Sequence, residues 1–322
     1  FERACSRRSL RYGIGCRLIK IWCLINGRGW LAPTKGLIMV DTSSFGWDGH
    51  VAPTPLEEYS KRYADFFEMR REDGILELRL HTDGGPYVHN WAAHNAWNRV
   101  WQDVGNDSEN HVLIITGTGE AWFRGDPRQT WPKPLVDETP DYIFQQTIDA
   151  WKLIENFVNN IDIPTIAVVN GPGIHTEFAL MCDVTLAAED ADFMDPHFMV
   201  GTAPGDGLAL ALQHLMGTKR AAYAVYGGTS IPARKALEYG LVSDVLPREE
   251  LLPKAWQLAR DIMKRPRFAR WSTHNILNRP WRKLVTEDFG FHFSQQSLAT
   301  VAAKTLIPDP ELVADARERK IW

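Results

Sequence analysis

The chain has 322 residues, 44% of them apolar and 24% charged, with a formal net charge of −4. That length buries a full core in one large or two modest domains, and no apolar run approaches the roughly 20 residues of a membrane span, the strongest candidate being Leu18 to Ile25. Charge is uneven: residues 1–38 hold eight Arg or Lys and the single acid Glu2, leaving 28 basic against 39 acidic residues in an acidic body, which argues against a nucleic-acid partner.

The basic head also holds Cys5, Cys16 and Cys23, with Cys182 alone in the remainder. A disulfide framework is not expected for the body, so a reducing, cytoplasmic setting is. Met39 is the first methionine, and the Arg-rich, acid-poor start reads as upstream sequence or an over-long gene model in preference to a transit peptide. Residues 1–38 are therefore set apart as an extension.

From Glu68 the sequence becomes regular. Residues 74–80 alternate towards their end, as a half-buried strand does, and His81-Thr82-Asp83-Gly84-Gly85-Pro86 breaks the run. Ala93, Trp97, Val100, Trp101 and Val104 recur at helical spacing, so these aromatics are expected to pack a core. Val112 to Thr116 and Thr165 to Val169 are short continuous apolar runs, the pattern of strands covered on both faces. A helix is expected after Pro140, further strands at Val184 to Ala188 and Leu241 to Val245, and a helix opening near Pro232 with Ser230 as its cap. Helices of about 15 residues from Glu249, Pro266 and Arg282 would complete the chain. Strands alternating with helices give an α/β layer fold with a largely parallel sheet.

The chemistry-bearing stretch is Asn170-Gly-Pro-Gly-Ile-His175-Thr-Glu177, answered by Asp195-Pro196-His197 and Pro204-Gly205-Asp206-Gly207. A neutral imidazole takes a proton near neutral pH, and a carboxylate orients it and stabilises its charged form. His197 and Asp206 are candidates for such a pair because Gly201, Pro204 and Gly205 let the chain fold back between them; local turn hydrogen bonds are the alternative use of the same residues.

Thr116-Gly-Thr-Gly-Glu-Ala-Trp-Phe-Arg-Gly125-Asp resembles the T-G-x-G-x-A-F-x-A-G-x-D segment of the crotonase (enoyl-CoA hydratase/isomerase) superfamily. Ile163 to Gly171 resembles its K-P-x-I-A-A-V-N-G strand and turn, and Cys182-Asp183, Ala187 to Phe193 and Gly201 to Gly207 continue the match in order. The resemblance implies a ββα spiral core over residues 39–265 and a C-terminal helical region, 266–322, that forms trimers or pairs of trimers. It also implies two backbone N–H groups as an oxyanion hole, here from Arg124 and from Ile174 in the turn at 173–175. Rigid main-chain donors facing a developing enolate need no reorganisation, and losing one raises the barrier by about 2.7–4 kcal/mol.

Hydratases of the superfamily use two glutamates. Glu177 matches the first, whereas His197 stands where the second is expected, and Trp122 and Arg124 replace small residues along the thioester wall. Within the superfamily His175-x-Glu177, Pro196-His197-Phe198, Pro204-Gly-Asp206-Gly and the Ala93-His94 pair resemble 6-oxocamphor hydrolase and related β-diketone hydrolases, which cleave a carbon–carbon bond by retro-Claisen chemistry without CoA. That resemblance implies that His197 and Asp206 activate water, that His175 binds a substrate carbonyl, and that no cofactor is needed. His89 falls at the family's pocket tryptophan, with Trp91 nearby, and Ser294, Gln295 and Gln296 occupy the region of a late glutamate.

The expected substrate-binding residues are His89, Trp91, His94, Trp122 and Phe198, around a small-molecule diketone. Glu177 capping a helix, and His89 and His94 as ordinary half-buried histidines, are the structural alternatives. No metal site is expected, because the histidines lack a ligand spacing flanked by a carboxylate. Two other readings stand beside the diketone hydrolase: a CoA-dependent hydratase, isomerase or thioesterase using Glu177 and His197, and a non-catalytic binding subunit, which would be expected to lose the acid/base residues kept here.

Overall fold

The computed structural model describes residues 52–125 and 139–303, with the isolated residues 311 and 314. The extension at 1–38 lies outside the described residues. Helix α1 (Leu56–Arg62) leads into a hairpin of β1 (Phe67–Glu72) and β2 (Ile75–Leu80), whose turn places Asp73 at φ 50° and Gly74 at φ 82°. Two positive angles suit a turn that matches the twist of its strands. The charged sequence of β1 conceals it as a strand: Arg70 donates to Glu77 and Arg71 to Asp107, so its polar residues are paired inward as well as solvated.

The chain then repeats a long strand, a short strand or turn, and a helix. β2 is followed by β3 (Val88–His89) and α2 (Trp91–Asn106). β4 (Val112–Thr116) is followed by β5 (Arg124–Gly125) and α3 (Pro140–Asn160). β6 (Thr165–Val169) is followed by a turn and α4 (Glu177–Leu180), and β7 (Val184–Ala188) by β8 (Asp192–Phe193) and α5 (Leu208–Met216). Next come α6 (Thr218–Gly227), β9 (Ile231–Pro232), α7 (Ala233–Tyr239) and β10 (Asp244–Leu246). Helices α8 (Arg248–Met263) and α9 (Arg267–Leu284), a π-helical turn at Val285–Phe289 and α10 (Gly290–Ala303) follow.

The long strands form one six-stranded sheet in the order β1-β2-β4-β6-β7-β10, parallel throughout except for the β1–β2 hairpin. The short strands stack beside it: β3 pairs in parallel with β5, and Phe123 bridges in parallel to Gly173. Successive units thus place their second segments side by side, and those segments carry the site.

Local chemistry explains the helix starts. Asn90 accepts from Ala93 N at 2.9 Å to cap α2, and Thr139 accepts from Tyr142 N at 3.2 Å ahead of Pro140. Trp97 and Trp101 are fully buried, Trp97 stacking on Phe178 with centroids 4.5 Å apart and donating from Nε1 to Tyr87 Oη at 2.8 Å. The aromatic stripe is core, as its period implies.

Three local expectations are corrected. Pro232 lies in β9 and Ser230 donates to Asp192 Oδ2 at 2.5 Å, so it ties that short ribbon instead of capping α7. The strand expected at Leu241 to Val245 is Asp244–Leu246, displaced towards the C-terminus. No helix begins at Arg282: Pro280 sits inside α9, and the break comes at the π-helical turn. Asp183 fixes the C-terminal region to the sheet by accepting from Thr165 N and facing His274 Nδ1 of α9, both at 2.8 Å.

Candidate active site

Asn170, at the end of β6, holds two turns together. Its Oδ1 accepts from Gly117 N at 3.1 Å, while Nδ2 donates to Gly119 O at 2.8 Å and Ala121 O at 3.0 Å. The turns touch backbone to backbone: a Cβ on Gly171 would lie 2.1 Å from Glu120 O, and one on Gly173 2.5 Å from Phe123 N. Glycine is required there because nothing larger fits.

The close contact also fixes an amide. Ile174 N donates to Phe123 O at 3.0 Å, so the expected assignment of Ile174 as an oxyanion donor is corrected: that N–H is already engaged. The next residue, His175, takes the left-handed conformation at φ 53°, and its amide donates to no carbonyl among the described residues. Left-handed backbone at a non-glycine residue costs of order 1–3 kcal/mol. Arg124 lies on β5 beside this turn; its side chain, like that of Trp91 at the start of α2, is outside the described residues.

His175 Nδ1 lies 2.8 Å from Glu177 Oε1 and 3.7 Å from Asp206 Oδ2. Glu177 is buried at the start of α4, its Oε2 without a partner, so its carboxylate serves the histidine as well as the helix terminus. His197 is held from both sides: Nδ1 is 2.9 Å from Asp195 Oδ1, and Nε2 is 3.4 Å from Asp206 Oδ2. The structure therefore brings His197 and Asp206 together, but the tight partner of His197 is Asp195. Asp195 also accepts from His197 N at 3.1 Å across Pro196, an Asx turn. The signal for this role was present in the Asp-Pro-His spacing, which reads equally well as an ordinary turn.

Electrostatics follow from crowding. Burial disfavours a charge on His197, yet Asp206 and Asp195 outweigh it and push its pKa up to about 10. His175 moves the same way: burial opposes the charge, and Glu177 and then Asp206 raise its pKa above the ordinary value. Burial lifts Glu177 above the usual carboxylate range, with His175 resisting and Asp206 reinforcing the rise. His89 and His94 go the other way, neutral by burial and by their cationic neighbour His175, His94 being lowered to about 4.

His89 packs on His175, Phe123 and His94 with ring centroids 4.9, 5.0 and 5.4 Å apart, so the structure gathers these three histidines. Trp122 is fully buried and donates from Nε1 to His175 O at 3.3 Å, so it supports the turn that carries this histidine. Phe198 lies 5.0 Å from Tyr226, ring to ring, on the wall of a 530 Å³ cavity lined by the 198–204 loop, α5, α6 and Ala299 of α10. Gln296 of α10 accepts from Gly205 N at 2.9 Å, bracing the loop that carries Asp206.

Two sets of ligand atoms lie within 4.8 Å of one another, His175 with Glu177 and Asp206, and Asp195 with His197 and Asp206. These are the residues that would hold a divalent cation. In each set one imidazole and one carboxylate stand at hydrogen-bonding separation, 2.8 and 2.9 Å, closer than the roughly 3.3 Å edge of a tetrahedral zinc site with bonds near 2.0 Å. The arrangement as it stands shares protons.

A family model described as enoyl-CoA hydratase/isomerase matches residues 92–304. The chain belongs to that family. The family's α/β fold accounts for the parallel sheet and the stacked short strands. Hydroxycinnamoyl-CoA hydratase-lyase of Pseudomonas fluorescens is 30% identical over 214 residues, 64% of this chain and 75% of that protein. A probable mitochondrial enoyl-CoA hydratase of Dictyostelium discoideum is 34% identical over 158 residues, 48% of this chain; the match spans 54% of that relative. Among solved structures, a β-diketone hydrolase from the cyanobacterium Anabaena sp. PCC 7120, bound to (S)-3-oxocyclohexyl acetic acid, superposes with a TM-score of 0.72 at 29% identity, covering 78% of this chain and 99% of that one. Among the described residues, no helix is long and apolar enough to cross a membrane.

Proposed function

We propose that this family member is a hydrolase that cleaves a carbon–carbon bond of a β-diketone by retro-Claisen chemistry. The observation that carries the reading is His197 held between Asp195 and Asp206, opposite His175. With Nδ1–H anchored on Asp195, the deprotonated imidazole presents an Nε2 lone pair beside Asp206, the arrangement of an oriented general base. A water between them loses a proton to Nε2, and its oxygen bonds to the diketone carbonyl carbon polarised by His175. The tetrahedral adduct collapses, the carbon–carbon bond breaks, and its electron pair becomes an enolate held by donors beside β5. The imidazolium returns the proton to carbon, leaving a carboxylic acid and a ketone. No covalent nucleophile or cofactor enters this sequence, and the likeness to the Anabaena hydrolase supports it.

The test is hydrolysis of cyclic and bicyclic β-diketones by the purified protein, with crotonyl-CoA in parallel and His197→Ala as control. Diketone cleavage abolished by the substitution supports the reading; thioester hydration alone overturns it. A second reading, hydration of a CoA thioester, is favoured by Glu177: its buried, unpartnered Oε2 stands at the hydratase position, and the curated relatives named above are hydratases or a hydratase-lyase.

We further propose a cytoplasmic homotrimer or pair of trimers. Phe268, Ile276 and Leu277 of α9 and Phe291 and Leu298 of α10 are each more than half exposed, an apolar surface that closed symmetry would bury. Light scattering on a sizing column measures the state, and a monomer would refute it.

A further inference from the structure

We infer that Arg248 is a positioning residue for His175, its guanidinium pinning the main-chain carbonyl from which the turn carrying that histidine departs. The inference rests on the diketone-hydrolase reading, in which His175 polarises the attacked carbonyl, and adds to it a support outside the histidine cluster.

Arg248 opens α8, directly after β10, where the carboxyl ends of the adjoining parallel strands β4, β6, β7 and β10 lie in order. Three of the connections leaving those ends meet on its guanidinium. Nε donates to Asn170 O at 2.8 Å, Nη2 donates to Asp190, and Nη1 lies 3.8 Å from Glu120 Oε1. Asn170 follows β6, Asp190 follows β7 and Glu120 follows β4. A lysine would offer a single ammonium where this geometry uses a planar fork.

The contact with Asn170 is the one that reaches the site. Pairing of β6 with β7 ends at Val169 opposite Ala187, so Asn170 O, in a buried residue, receives no backbone donor among the described residues. A buried carbonyl needs a donor, and Arg248 Nε supplies it. The side chain of the same asparagine holds the turns at 117–121 and 170–175 together, so Asn170 is fixed through its side chain and its main chain at once. Five residues on, His175 occupies the left-handed region at φ 53°. Such a conformation persists only where the surroundings over-determine it, and the bond from Arg248 is one of those constraints.

The placing of Arg248 runs against local preference. A cation on the first residue of a helix faces the positive end of the dipole, which the acids Glu249 and Glu250 just after it suit. Asp190 and Glu120 are both more than half exposed, so ion pairing alone contributes little there. The charge-assisted bond to a buried carbonyl is the contact of the three that carries most. Arg248 makes and breaks no bond of the substrate. It acts through Asn170, by holding the histidine that meets the carbonyl.

The experiment compares wild type with Arg248→Ala, which removes the fork, and with Arg234→Ala, which removes a surface ion pair to Glu189 that does not touch Asn170. Hydrolysis of a bicyclic β-diketone is measured alongside hydrogen exchange of the amides of residues 171–178, with and without guanidinium ion at concentrations too low to unfold the protein. Arg248→Ala is expected to lower kcat by about 10–100-fold with KM changed little, the scale of a misplaced reacting group. Exchange over 171–178 should quicken, and guanidinium should restore part of both losses where sodium chloride does not. Arg234→Ala should match wild type in each.

A folded Arg248→Ala with wild-type kcat, or with wild-type exchange over 171–178, would overturn the inference and leave the hydrolase reading intact. An equal loss of kcat in Arg234→Ala would overturn it too, since any surface ion pair would then have the same effect. If wild type hydrolyses no diketone, the hydrolase reading fails and exchange decides alone. Faster exchange confined to Arg248→Ala would retain Arg248 as the support of the turn, and unchanged exchange would remove it. Should Arg248→Ala not fold by circular dichroism, Arg248→Lys takes its place, keeping a cation for Asp190 without the Nε–H.

Discussion

His197 Nδ1 and Asp195 Oδ1 lie 2.9 Å apart, on the side of the imidazole away from Asp206. The bond fixes which nitrogen faces water and raises the basicity of the ring. Replacing Asp195 by Asn removes the charge and keeps the shape. Because an adjacent opposite charge shifts a pKa by about 1–3 units, Asp195→Asn is expected to move the pH dependence of kcat/KM down by a comparable amount. The rate at the plateau should fall by about 10²-fold, within the range general acid–base groups supply. An unchanged profile would remove Asp195 from the mechanism.

The wild-type pH profile follows from the same crowding. With the pKa of His197 near 10, most of the resting enzyme carries imidazolium at pH 7, which cannot accept a proton. The competent fraction rises with pH, so kcat/KM is expected to climb about tenfold per unit through neutrality and to level near pH 10. A flat profile from pH 6 to 9 would point instead to a carboxylate base, Glu177 or Asp206.

Much of the fold was readable from local pattern. Thr165 to Val169 and Val112 to Thr116 are strands buried on both faces, and Ala93, Trp97 and Trp101 form a helical core stripe, because burial imposes those periods on sequence. Four features were not readable. Strand β1 hides behind paired charges, and Pro280 continues α9 although proline usually ends a helix. The engagement of Ile174 N depends on how closely two glycine turns approach, a distance that no local spacing encodes. Asp195 was visible as a residue but not as a partner, since an acid two positions before a histidine more often closes a turn than tunes a base.

Stability should run opposite to activity. The pKa of His197 is raised above its unfolded value near 6.5, so the stability it contributes is fully present below that pH and is lost as pH rises through about 10. Over that window the group contributes a slope of about 1.4 kcal/mol per pH unit at most. His197→Gln is expected to unfold at a lower temperature than wild type at pH 6, with the gap narrowing towards pH 10. Thermal unfolding at matched ionic strength reads this difference directly, and a gap that widens with pH would contradict the charge assignment.

Gly171 tests the scaffold without touching a titrating group. A methyl group there would stand 2.1 Å from Glu120 O, a backbone atom that cannot move aside alone, so the turns at 117–121 and 170–175 must separate. Overpacking of this kind costs about 1–3 kcal/mol. It should also disturb the bonds of Asn170 to Gly117, Gly119 and Ala121, and through them the left-handed seat of His175. Gly171→Ala is therefore expected to lower the urea midpoint and, in the fraction still folded, to reduce kcat more than a comparable destabilisation elsewhere. Ala259→Gly, in the middle of α8, supplies that comparison, because it weakens a helix remote in sequence from both turns. Equal residual activity in the two variants at equal stability would mean that the turn positions nothing in the reaction.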